Sequence, residues 1–324
     1  MPVSAETRQF RIRWTMALLA AGAVLSAVLF LTLGAQGNWA FVLPFRGAKL
    51  AGLALVAVAV ALATMVFQTL TRNRILTPSI MGFDALFVLI QTTLIFAIGP
   101  ARTAAIPAQA LFLAEVALLT GFAALLFGWL FRGTMRGLHL LLLVGIVFGT
   151  LFRAVAGLMQ RLIAPDDFAV LQSRLFASFN SVDQTHLVLA GLIVGVLVLV
   201  LWRMRRVLDV LALGRDHAIG LGLAHDRLVL GLQAIVTVLV AVSTALVGPA
   251  GFFGLLVANL AWLFLPTARH AVLLPAAALI ALICLIGGQT LLERVLHYDA
   301  VLSVVIEFVG GLLFLFLVIR GAAR

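Results

Sequence analysis

Acidic and amide side chains stand out in this sequence because so little around them is polar. Asp84, Glu115 and Glu307 each interrupt a long apolar run, as do Gln68, Gln91, Gln160 and Gln289. A charged group at the centre of a bilayer costs at least ~2.5–3.5 kcal/mol on insertion scales unless it is paired or hydrated, so by default such groups bind ions, relay protons or line a hydrated path. The other reading is structural. Asp84 follows Thr77-Pro-Ser-Ile-Met-Gly82 closely enough to bond within that turn, and this local role is the one preferred for it. Gln68, Glu115, Gln160 and Glu307 either bond between helices or line a path, and the sequence leaves both open.

Other chemistries find no support. Six histidines, one cysteine and the carboxylates show no cluster with metal-ligand spacing. The only lysine, Lys49, is followed by Leu50, so no Gly-x-x-x-x-Gly-Lys-Ser/Thr phosphate loop exists. His-Glu-x-x-His is absent, and Gly220-Leu-Gly222 lacks both a third glycine and a preceding strand, so neither a zincin site nor a dinucleotide fold is supported. The chain is therefore expected not to be an enzyme and to carry no cofactor of its own.

The elements that would hold these groups are set by composition. Of 324 residues, 64% are hydrophobic and 10% charged, and the mean hydropathy is +1.21, more apolar surface than a soluble core of this size can hide. An all-α polytopic membrane protein follows. Apolar windows place about ten spans at roughly 14–35, 48–70, 77–98, 108–131, 138–160, 184–202, 227–247, 251–265, 269–291 and 300–320. The whole chain reads as one transmembrane domain, 1–324. The eighth span is short, and Gly248-Pro-Ala-Gly-Phe-Phe-Gly254 before it is too rich in helix breakers to face lipid, so a broken segment buried in the bundle is expected. No small-x-small site follows the first run, which predicts an uncleaved first span. Pro165-Asp-Asp167 and the apolar spacing to Phe176 suit a short helix at the interface.

The net charge of +10 is scattered in short clusters rather than gathered on one face, which argues against nucleic acid and makes the charge topological. With a cytoplasmic N-terminus, fifteen of the 22 basic residues fall on the cytoplasmic side, among them Arg8, Arg72, Arg136, Arg320 and Arg324. Arg46, Lys49, Arg102, Arg153, Arg161, Arg174 and Arg294 fall on the other. The positive-inside rule then puts both termini in the cytoplasm. It puts the polar stretch 203–227 there too.

That stretch carries five arginines and is far longer than the 2–8 residues usual between helices of a bundle. Leu211, Leu213, Ile219 and Leu221 alternate with Arg215, Asp216 and His217, while Gly214, Gly220 and Gly222 provide breaks that let two short helices meet at a turn. A wholly solvated loop has no use for those leucines, so a partner-binding handle is expected, centred on Leu213, Gly214, Arg215, Asp216, His217, Ala218 and Ile219.

Several stretches resemble one family. Arg46-Gly-Ala-Lys49, Phe67-Gln-Thr-Leu-Thr-Arg-Asn73, Thr77-Pro-Ser-Ile-Met-Gly-Phe-Asp84, Leu211 to Gly222, Val247 to Asn259 and Val309-Gly-Gly-Leu-Leu-Phe314 are similar, in order and spacing, to the FecCD-type iron-chelate permeases, the membrane subunits of ABC importers related to the cobalamin permease. The resemblance implies a pair of ten-helix subunits with the substrate path between them. It also implies two cytoplasmic ATPases that hold the ATP and Mg and grip the 203–227 loop, and a periplasmic or lipid-anchored substrate-binding protein on the other side. Positions matching the basic residues that receive that protein are Arg46, Lys49 and Arg294. Lys49 stands where a second arginine is common, so the guanidinium fork is lost there. Asn259 stands where the family often has a Pro-His pair.

The function so implied is import of a ferric siderophore or related iron chelate across a bacterial plasma membrane. The rivals are an ABC permease for haem, cobalamin or another metal complex, and an ion-coupled secondary transporter using Asp84, Glu115 or Glu307.

Overall fold

The computed structural model describes residues 5–34, 37, 39–132, 138–175, 184–294 and 302–319. Arg136, Arg320 and Arg324, which entered the topology argument, and Phe176, which closed the spacing of the expected interfacial helix, lie outside them. Among the described residues every regular element is helical: α1 Ala5–Thr32, α2 Trp39–Thr71, α3 Phe83–Ala105, α4 Ala108–Arg132, α5 Leu138–Gln160, α6 Pro165–Leu175, α7 Gln184–Arg203, α8 Arg205–Leu211, α9 Arg215–Gly220, α10 His225–Val247, α11 Phe253–Phe264, α12 His270–Leu282, α13 Gly288–Arg294 and α14 Leu302–Ile319. Among the described residues eight stretches of helix are long and apolar enough to cross a membrane, and α11 is a shorter apolar helix.

The bundle is built around α2. Every residue from Ala59 to Leu70 is buried, as a helix apolar on all sides must be. Seven of these twelve residues are alanine, valine or threonine, and small side chains let α7, α10, α11 and α12 pack closely around it. By contrast α1 and α14 present many large apolar side chains outward, including Leu18, Val24, Phe308 and Leu312.

Four of the apolar windows differ from the helices that form. Helix α3 begins at Phe83 rather than near 77, because Pro78–Met81 forms a 3-10 turn closed by Gly82 in the left-handed region at φ +87°. The ninth apolar run is not one α-helix, since a π turn at Ile283–Gly287 separates α12 from α13. Helix α1 begins nine residues before its window, because helical hydrogen bonding continues through polar residues that a hydropathy window rejects, and α2 begins nine residues early at Trp39, running through Pro44 and Arg46.

The 78–82 turn lies directly on α5. A Cβ on Gly145 would come 2.8 Å from Met81 Cα, and one on Gly149 would come 3.2 Å from Gly82 Cα. Only glycine permits this approach.

Candidate functional site

The loop after α7 is an elbow of two short helices. Arg205 opens it, its guanidinium 4.6 Å from the Trp202 ring and donating to the Trp202 carbonyl at 2.7 Å. Helix α8 buries Leu208 and Leu211 against the bundle. Gly214, at φ +106°, makes the bend, and the Arg72 guanidinium packs against it so closely that a Cβ there would meet Nη1 at 2.9 Å. Helix α9 then turns Ala218 inward and leaves Arg215, Asp216, His217 and Ile219 exposed. Leu213, Ile219 and Leu221 are 54%, 49% and 63% exposed, so an apolar surface lies among charges. Leu211 does not share it, because α8 points that side chain into the core. Arg215 reaches Asp226 at 3.4 Å, closing the elbow onto α10.

A polar joint fixes this elbow to the spans. Asp209 Oδ1 accepts the His270 backbone N–H at 2.7 Å, capping the start of α12, and lies 2.7 Å from His270 Nδ1. The other ring nitrogen is 2.7 Å from Thr69 Oγ1 on α2, and Thr69 donates to the Met65 carbonyl at 2.8 Å. His270 is completely buried. One side chain of the elbow thus holds two core helices through a single imidazole. Sequence reasoning missed both residues, and the only local sign was a lone acid, Asp209, within an arginine-rich loop.

Toward the far end of α2, Arg46 lying roughly 35 Å from Thr69 at ~1.5 Å per residue, the structure brings Arg46, Lys49 and Arg294 together. Arg46 donates to the carbonyls of Leu31, Leu33 and Gly34, closing the C-terminal end of α1. Lys49 pairs with Glu293, which also accepts from Gln289. Arg294 packs over Gly34.

The intramembrane polar groups divide. Gln68 is buried and satisfied, donating to the Arg74 carbonyl at 2.7 Å and accepting from Trp262 at 3.2 Å. Gln160 donates to Thr92 at 3.1 Å, and Gln91 donates to Glu115 at 2.6 Å, so adjacent residues of α3 tie it to α5 and α4. Glu115 also lines a cavity of about 530 Å³ with Phe87, Phe112, Arg174 and His186. Asp84 lies beside Ser79 of the 78–82 turn, and its Oδ1 is buried without a hydrogen-bond partner. Glu307 lies against Gly251. Among the described residues no group of His, Cys, Asp and Glu side chains is placed to hold a metal ion.

The described residues thus form a helical bundle with a glycine-hinged elbow at one end and three basic side chains gathered at the other. The chain belongs to the FecCD transport family, whose model matches residues 10–320. It is 44% identical to the petrobactin import system permease protein YclO of Bacillus subtilis (strain 168), over 96% of this chain and 98% of that one. It is 35% identical to the petrobactin import system permease protein FatC of Bacillus anthracis, over 83% and 76%. Among solved structures it shares its fold with a metal-chelate type ABC transporter in an inward-facing conformation, at a TM-score of 0.82 and 22% identity, covering 95% of this chain and 99% of that one.

Proposed function

We propose that this chain is the permease subunit of a bacterial ABC importer that carries a ferric siderophore, of the petrobactin kind, into the cytoplasm. The elbow carries the reading. Leu213, Arg215, Asp216, His217 and Ile219 stand outward for a partner, while Asp209 ties the same segment to α2 and α12. A separate ATPase pair, holding ATP and Mg, pulls on that elbow, and the attached helices move as rigid bodies. A second permease, identical or paralogous, completes the path, and both termini lie in the cytoplasm of a plasma (inner) membrane protein. A periplasmic or lipid-anchored binding protein docks at the Arg46, Lys49 and Arg294 end, where a cationic cluster gives steering and register.

Iron-chelate cargo is favoured over haem by similarity. The petrobactin relative YclO matches at 44% identity over nearly both whole chains, whereas the hemin transport permease HmuU of Yersinia pestis matches at 29% over 82% of this chain. Uptake of radiolabelled ferric petrobactin by cells expressing the complete system tests this. Competition by unlabelled ferric petrobactin but not by haem or cobalamin is expected; competition by haem or cobalamin alone would reassign the cargo.

A further inference from the structure

Two non-helical segments meet inside the bundle. One is the Thr77–Gly82 stretch with its 3-10 turn; the other, Gly248–Phe252, carries positive φ at Gly248 (+92°) and Gly251 (+34°) between α10 and α11. Thr77, Ser79, Asp84 and Gly251 line the small gap where they touch. The same four, joined by Arg153 of α5 and Phe252, line a cleft of about 410 Å³. Backbone outside regular helix is tolerated at membrane depth only where it is buried in protein or lines a water-filled cavity. Interrupted helices facing each other across such a cavity are the usual construction of a transport site.

Charge accounting at this cleft is unusual. Asp84 Oδ1 is buried with no hydrogen-bond partner. Arg153 and Glu307 are exposed on the surface of the single chain, and neither forms an ion pair among the described residues. Glu307 abuts the cleft wall, since a Cβ on Gly251 would meet its Oε1 at 2.9 Å. Against lipid each exposed charge would cost ~2.5–3.5 kcal/mol or more. These groups therefore face away from lipid, toward the side where a second permease would complete the path.

We propose that Asp84, Glu307 and Arg153 form a cargo-contacting station in the path, one that selects chelates whose periphery carries protonated amines. Two carboxylates outnumber one guanidinium around the cleft, so an ammonium arm finds a favourable field near Glu307 and Asp84, whose buried Oδ1 has no donor from the protein to offset its charge. Arg153 meets the anionic oxygens that chelate iron, and the hydroxyls of Thr77 and Ser79 complete a polar rim. This inference rests on the permease reading above and adds the specificity of the path.

The test uses the complete complex, permease with ATPase and binding protein, in proteoliposomes. Two ferric catecholates are compared, one bearing polyamine arms and the other identical but N-acetylated, so that the iron centre is unchanged and only the ammonium charge is lost. Wild type is expected to favour the amine-bearing chelate. Asp84→Asn is expected to lower its uptake by about tenfold, the equivalent of ~1.4 kcal/mol, and to leave the acetylated chelate within about twofold. Glu307→Gln, at the exposed rim where folding is least at risk, is expected to show the same selective loss, and Arg153→Gln to lower both. Equal losses for the two chelates in Asp84→Asn and Glu307→Gln, or no loss in either variant, would overturn the station. A wild-type complex that assembles, hydrolyses ATP and carries both chelates equally would overturn it while leaving the permease reading intact. One that assembles and carries neither would overturn that reading, and the station with it.

Discussion

Asp209 holds His270 twice through one carboxylate oxygen, at the backbone N–H and at Nδ1, both at 2.7 Å. The two residues are 61 positions apart, one on the elbow and one at the head of α12, and the imidazole continues to Thr69 on α2. Removing Asp209 leaves a fully buried imidazole and a helix N-terminus without their acceptor, which costs about 1–3 kcal/mol for an unsatisfied buried group. Asp209→Ala is therefore expected to lower the thermal unfolding midpoint of the purified protein, and Asp209→Asn, which keeps an acceptor oxygen, to lower it less.

The same joint has a functional readout. If it transmits the pull of the ATPase, His270→Ala keeps the ATPase bound and hydrolysing while transport per ATP falls severalfold. Measuring hydrolysis and uptake in the same proteoliposomes checks this; parallel losses of both would point to stability alone.

Ile219 and Leu221 stand outward on the elbow and contribute nothing to the core. Ile219→Ser with Leu221→Ser is expected to leave membrane insertion and thermal stability within experimental scatter but to weaken ATPase co-purification about tenfold, as loss of apolar anchors at an interface does. Replacing Arg215 and Asp216 by alanine should act in the same direction. Unchanged co-purification in both would remove the elbow from the interface.

Lys49 and Glu293 form a largely buried ion pair. Removing one partner strands the other charge, so Lys49→Met alone is expected to destabilise more than Lys49→Met combined with Glu293→Met. A double-mutant cycle on thermal unfolding measures the difference. Binding-protein affinity measured on the same variants shows how far Lys49 also serves docking.

Gly145 admits no side chain against Met81. Gly145→Leu forces α5 off the 78–82 turn, and a loss of about 1–3 kcal/mol is expected from overpacking. Gly157 on the same helix has open space beside it, so Gly157→Ala is the control and should be nearly neutral.

What the sequence made legible was whatever depends on local pattern. Apolar runs at 184–202 and 227–247 lie within two residues of the ends of α7 and α10, since lipid imposes a length on the chain. Of the three glycines expected to break the elbow, those at 214 and 222 do so at positive φ, while Gly220 is the last residue of α9. The joints between helices were not legible. Asp209 and His270, Arg46 and the end of α1, and Gln91 and Glu115 meet through packing over long separations, and no periodicity encodes which polar side chain faces which. Leu211 shows the same limit: its spacing matched the exposed leucines of the elbow, but the direction of α8 turned it inward.

The central claim is that this chain moves cargo only when a partner's nucleotide cycle pulls the elbow. The most direct measurement is accumulation of ferric chelate in proteoliposomes holding the permease alone, with its ATPase and binding protein, and with both but without ATP. Uphill accumulation is expected only with the complete set and ATP. Accumulation by the permease alone, driven by a proton or sodium gradient, would contradict the account.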